Sequence, residues 1–87
     1  MLTVTLVKWR QKPSTEVTDR MTKFIKNPPP GVKLHSIIWT LGRYDVVITA
    51  EFPNEIEAMK MMLAFSDAVS TETLVGVPRD EALKLLK

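Results

Sequence analysis

Pro28-Pro29-Pro30-Gly31 divides this chain more firmly than any other feature of its sequence. No helix runs through three prolines, because each lacks an amide donor and its ring clashes with the preceding turn. Any helix before this break must end by Asn27, and the chain beyond Gly31 must begin a new element. Upstream, Leu2 to Trp9 alternates with the period of a strand: Leu2, Val4 and Leu6 share one face, and Thr3, Thr5, Val7 and Trp9 share the other. Pro13 and Ser14 then open a helix, with Ser14 as N-cap and Glu16 in the first turn, where the helix dipole favours an acid. Val17, Met21, Phe24 and Ile25 recur at helical spacing and give it one apolar stripe.

Downstream of the prolines, Lys33 to Thr40 and Tyr44 to Phe52 read as strands joined at Gly42-Arg43. With those two residues as the loop, Leu41 opposes Tyr44 and Thr40 opposes Asp45. One face then holds His35, Ile37, Trp39, Leu41, Tyr44, Val46, Ile48 and Ala50. It is the richer apolar surface and is expected to receive the helices. The other face holds Leu34, Ser36, Ile38, Thr40, Asp45, Val47, Thr49 and Glu51; a slip of one residue exchanges the two. Asn54 and Glu57, at capping-box spacing, begin a second helix. Its apolar residues, Ile56, Ala58, Met59, Met61, Met62, Leu63 and Phe65, exceed what one sheet contact requires, so the C-terminal segment is expected to cover the excess. Val69 to Val77 is a fourth strand, and Pro78 starts a short last helix carrying Leu83, Leu85 and Leu86. The order predicts an α+β fold: a ferredoxin-like split β-α-β (βαββαβ), with a four-stranded antiparallel sheet, two helices on one face and a short C-terminal helix.

Eighty-seven residues allow a single domain, 1–87, and a core of marginal size. There is no cysteine to supply disulfides or thiolate ligands, and one histidine without clustered carboxylates predicts no metal site. The remaining support is another copy of the chain. A homodimer, or a multiple of dimers, is expected through the sheet face that the helices leave open. The apolar run at the N-terminus is too short to span a bilayer and no basic segment precedes it, so no membrane partner is expected. With the absence of cysteine, this points to the cytoplasm. Charge is unevenly spread: residues 1–43 carry eight Lys/Arg and two Asp/Glu, and residues 44–87 carry four and eight, which sums to +2. A dipolar surface of this kind suits self-association.

The segments Thr40-Leu41-Gly42-Arg43-Tyr44-Asp45-Val46-Val47, Glu51-Phe52-Pro53-Asn54 and Ser70-Thr71-Glu72-Thr73-Leu74 resemble the GYD domain, whose Gly-x-Tyr-Asp signature is present as Gly42 to Asp45. The resemblance covers roughly residues 32–82. It implies the dimeric α/β barrel superfamily, in which two such sheets pack face to face. It implies no reaction, since the family as a class is of unknown function. Relatives by fold include cofactor-independent monooxygenases, muconolactone isomerases, haem-dependent chlorite dismutases and effector-binding domains of transcriptional regulators, and fold does not choose among these.

Asp45 is the sharpest candidate for chemistry. On the mixed face, burial would raise its pKa toward use as a general base; the alternative is a turn carboxylate bonded to nearby backbone. Glu72 shares that face if Val69, Thr71, Thr73 and Val75 face the helices, and it reads equally as a solvated acid or an intermolecular ion pair with a residue such as Arg43. His35 reads first as an edge histidine, with catalysis or haem ligation as the alternative. Tyr44 carries a phenol that can orient a ligand, although the register assigns it to the helix side. Trp9, Thr5, Ser36, Thr40 and Thr49 complete the candidate ligand-binding residues. They are expected to line a pocket on the order of 300 Å³ on the open face. No phosphate-binding loop or nucleophile elbow is present, and no cofactor is expected. Three functions stay open. The first is a small-molecule-binding or oligomerisation module. The second is a cofactor-independent oxygenase or isomerase using Asp45, Glu72 or His35. The third is nucleic-acid binding by Lys8, Arg10, Lys12, Arg20, Lys23, Lys26 and Lys33; a net charge of only +2 argues against it.

Overall fold

The computed structural model describes all of residues 1–87, in the order β1 (Leu2–Trp9), α1 (Thr15–Lys26), β2 (Lys33–Trp39), β3 (Val46–Glu51), α2 (Glu55–Ala64), β4 (Val69–Gly76) and α3 (Arg79–Lys84). The strands form one antiparallel sheet in the order β2-β3-β1-β4. Each helical crossover therefore skips one strand, and the result is the ferredoxin-like split β-α-β arrangement that the sequence predicts. No helix is long and apolar enough to cross a membrane.

Local signals act as read. The Ser14 hydroxyl accepts the Val17 amide at 3.2 Å, and the Asn54 side chain accepts the Glu57 amide at 3.0 Å, so both long helices begin with a satisfied orphan donor. The Glu57 carboxylate takes Lys60 at 3.0 Å instead of returning to Asn54. Gly42 has φ +115°, a conformation that other residues adopt only under strain, and the space around it is open. The hairpin keeps the expected register, with Trp39 opposite Val46 and the Thr40 amide donating to the Asp45 carbonyl at 2.9 Å.

Both long helices cover one sheet face. Ala50 and Phe52 pack with Ala58 and Met61 of α2, while Val7, Val46 and Val69 gather Val17 and Met21 of α1. Arg20 fastens α1 to the segment after α2. Its guanidinium makes two bonds to the Asp67 carboxylate, at 2.8 and 3.2 Å, and lies 5.2 Å from the centre of the Phe65 ring. Those bonds hold the Asp67 carboxyl below the usual carboxylate range.

Three expectations are corrected. Thr3, Thr5 and Trp9 lie on the helix side, because β1 pairs Thr3 with Ala50, Thr5 with Ile48 and Val7 with Val46. Thr3 and Thr5 are 0% and 1% exposed, and Leu2, Val4 and Leu6 are the residues that turn to the open face. In β2 the register shifts between Leu34 and Ser36, leaving His35 as an extra residue. This bulge moves Leu34 to the helix side, where it packs on the core, and His35 to the open side. Finally, α3 does not cover α2. Ile56, Met59 and Leu63 on the outer face of α2 remain exposed, as do Leu85 and Leu86.

Candidate functional site

Asp45 sits where three strands end. Its amide donates to the Val7 carbonyl at 2.8 Å, its carbonyl accepts from Thr40, and its carboxylate accepts the Trp9 amide at 2.8 Å. The side chain thus satisfies a backbone donor where β1 runs past the start of β3. The carboxylate is thus tied to backbone, but to a strand 36 residues away and not to its own turn, and the bond engages one of its two oxygens. The Thr40 hydroxyl closes the same corner by donating to the Tyr44 carbonyl at 2.7 Å.

Tyr44 precedes β3 and escapes its alternation. Its hydroxyl donates to the Glu72 carboxylate at 2.9 Å, and Glu72 stands opposite Leu6 on the open side of β4. The assignment of Tyr44 to the helix-side core is therefore corrected: the chain leaves the strand geometry at the turn, and strand parity no longer applies. The negative acceptor pushes the Tyr44 phenol above its ordinary pKa of 10.0. Arg43 lies 5.7 Å from the centre of the Tyr44 ring, and neither Asp45 nor Glu72 forms an ion pair within the chain.

His35 projects beside Glu51, with Nε2 to Oε2 at 2.7 Å and both side chains half exposed. Ser36 and Thr49 face each other across β2 and β3 and bond hydroxyl to hydroxyl. No three acidic or histidine side chains converge as a metal would require. The open face therefore carries Tyr44 with Glu72, His35 with Glu51 and Ser36 with Thr49 as separate self-satisfied pairs, and Asp45 is tied to backbone.

The concave site is elsewhere. A cavity of about 170 Å³ lies between α1 and the sheet, on the helix side. Its floor includes Thr5, Val7, Val46 and Val69, its α1 side Met21 and Phe24, and its far wall Met61, Met62 and Phe65. Trp9 and Trp39, with ring centres 5.3 Å apart, contribute the indoles. Of the open-face candidates named from sequence, Thr5 and Trp9 line this cavity, whereas Asp45, Glu72, His35, Ser36, Thr40, Tyr44 and Thr49 do not. The expected pocket is thus corrected in place, and the cavity is smaller than the expected 300 Å³ scale of drug-sized sites. Its cause is local. Small threonine side chains lie beneath α1, no residue of α1 is fully buried, and the helix does not fill the space above them. The sequence carried one signal for it, the methionines of α2, which read first as adaptable core.

No curated protein and no solved structure matches the chain significantly. A family model described as the GYD domain matches residues 5–86 and so takes in β1 and α1, which the sequence likeness over 32–82 left out. Together with the observed strand order and the Gly42-to-Asp45 turn, that match over nearly the whole length makes this chain a member of the GYD domain family.

Proposed function

We propose that the chain is a small-molecule-binding module that works as a homodimer of the α/β-barrel type. The observation that carries the binding reading is the apolar cavity between α1 and the sheet, where 14 of 18 lining residues are hydrophobic. Concave apolar sites of this sort are where small ligands lodge. None of the lining residues titrates in the physiological range, and the candidate carboxylates Asp45 and Glu72 lie outside it. This supports binding over acid–base turnover as the work of the cavity. Xenon dissolved in buffer is the direct test, since it partitions into apolar concavities of this size. Methyl signals of Ile37, Ile48 and Met62 should shift together under xenon, and unchanged signals would remove the cavity from the account.

Self-association rests on a separate observation. Thr3 and Thr5 are buried under the helices while Leu2, Val4, Leu6, Val47 and Ile38 face outward on the open side. An apolar sheet face of this extent in a chain of 87 residues is best covered by a second copy. Light scattering at micromolar concentration should give two chains, or a multiple of two, per particle. A monomer whose unfolding midpoint ignores concentration would count against it.

A further inference from the structure

The size and chemistry of the cavity restrict what it can hold. We propose, resting on the reading of this cavity as a ligand site, that its ligand is an uncharged molecule built on a single aromatic ring, with at most one polar substituent.

Size sets the first limit. An engineered cavity of about 150 Å³ accepts benzene, whereas drug-sized ligands occupy roughly 300 Å³ or more. At about 170 Å³, this cavity holds one ring with a small substituent and is too small to enclose haem, a flavin or a nucleotide.

Charge sets the second. The only polar lining residues are Thr5, Thr18, Thr22 and Thr71. Thr5 bonds to the Thr73 hydroxyl at 3.1 Å, Thr18 to the Ser14 and Thr15 carbonyls, and Thr22 to the Thr18 carbonyl at 2.9 Å. A carboxylate or ammonium placed against this lining would give up part of its water and gain no opposite charge. Thr71, at the exposed β4 side, is the one threonine of the lining without an intrachain bond from its hydroxyl, and it can meet a single polar substituent such as a phenolic hydroxyl.

Shape favours an aromatic ring. Phe24 and Phe65 already stand edge to face, with centres 5.8 Å apart, and a ligand ring can extend this packing beside the soft side chains of Met21 and Met62. Trp39 and Ile25 line the cavity while 62% and 44% exposed, so they form a rim through which a ligand can enter.

The test titrates the full chain with phenol, toluene and benzoate, followed through the methyl signals of Met21 and Met62 and through tryptophan emission. Phenol and toluene should move these signals, and benzoate should bind at least tenfold more weakly. Val46→Phe fills the floor and Thr22→Phe fills the exposed α1 side; each should weaken phenol binding at least tenfold. Thr22 lies on the surface, so Thr22→Phe decides the matter if Val46→Phe does not fold. Benzoate binding as tightly as phenol at the same methyls would overturn the ligand class and leave the site standing. Methyls unmoved by every probe, or phenol binding unchanged in Thr22→Phe, would overturn both.

Discussion

The two faces of the sheet are built on opposite plans. Under the helices, β1 presents Thr3, Thr5 and Val7, the hydroxyls bond to the Ala50 carbonyl and to Thr73, and a cavity remains above the floor. On the open side the same strand presents Leu2, Val4 and Leu6, flanked by Val47 on β3 and Leu74 on β4, with no layer above. On β1 the covered face is thus the loosely filled one, and the bare face carries the larger aliphatic side chains. Fully burying a Leu or Val contributes roughly 1.5–3 kcal/mol, so covering even a few of these residues is a substantial driving force for association. The difference teaches that the apolar richness of a strand face reports the total surface it must cover, whether the cover is its own helix or another chain.

The sharpest way to break this comparison is a charge at the centre of the open face. Val47 lies between Leu6 and Ile38, and Val47→Asp is expected to weaken association by about 3 kcal/mol or more, on the order of 100-fold, because a buried charge without a partner is costly. Sedimentation equilibrium would show the dimer giving way to monomer. A change within about 0.5 kcal/mol, as expected of an ordinary surface position, would mean that the face is not an interface.

Next in size is Gly42→Val. The turn at Gly42 fixes the hairpin register and so decides which residues share each face. A loss of about 1–3 kcal/mol is expected from the positive φ alone, since no neighbouring atom obstructs a side chain there. An unchanged urea midpoint would refute the strain.

On the helix side the effect should be smaller. Thr5→Val keeps the shape and removes the hydroxyl that meets Thr73. Because Thr73 is only half buried, water can take over its bond, and a cost of about 1 kcal/mol or less is expected by thermal unfolding. A cost several times larger would mean that the threonine floor is tightly specified.

The smallest effect concerns the rim of the open face. Tyr44 is the only tyrosine, so its ionisation can be followed cleanly by ultraviolet absorbance. It should titrate above its ordinary pKa, and Glu72→Gln should move it back down. The sign follows from the bond: the protonated phenol donates to Glu72, so its contribution to stability is present below the unfolded pKa and is lost as pH rises through the raised folded value. An identical titration in both proteins would show that the Tyr44–Glu72 contact is absent in solution.

Element order was legible in the sequence because Pro28-Pro29-Pro30-Gly31, Ser14 and Asn54 act locally, within a turn or so of chain. The hairpin register was legible for the same reason. Orientation was not. Strand β1 is apolar on both faces, and periodicity alone cannot say which face meets the helices. The bulge at His35 is marked only by two adjacent polar residues, His35 and Ser36, between Leu34 and Ile37, which does not by itself say that the register shifts there. Asp45 stands out in the sequence by its place after the turn, yet its bond to the Trp9 amide, 36 residues away, is a tertiary contact that spacing does not encode. The cavity arises from volume left unfilled between α1 and the sheet, a property of packing that no single strand or helix pattern reports.

The bulge in β2 also limits how copies of this sheet can grow. At the other edge, β4 is an eight-residue strand with one charge and no proline, a regular template for main-chain pairing. The β2 edge carries the extra residue, Lys33 and a local kink, which unsettle such a ladder. A molecule with one receptive edge and one protected edge can join a second copy through the first and then stops. Were copies to pair through their edges, the ladder would therefore close at two, whereas two receptive edges would propagate into a fibre.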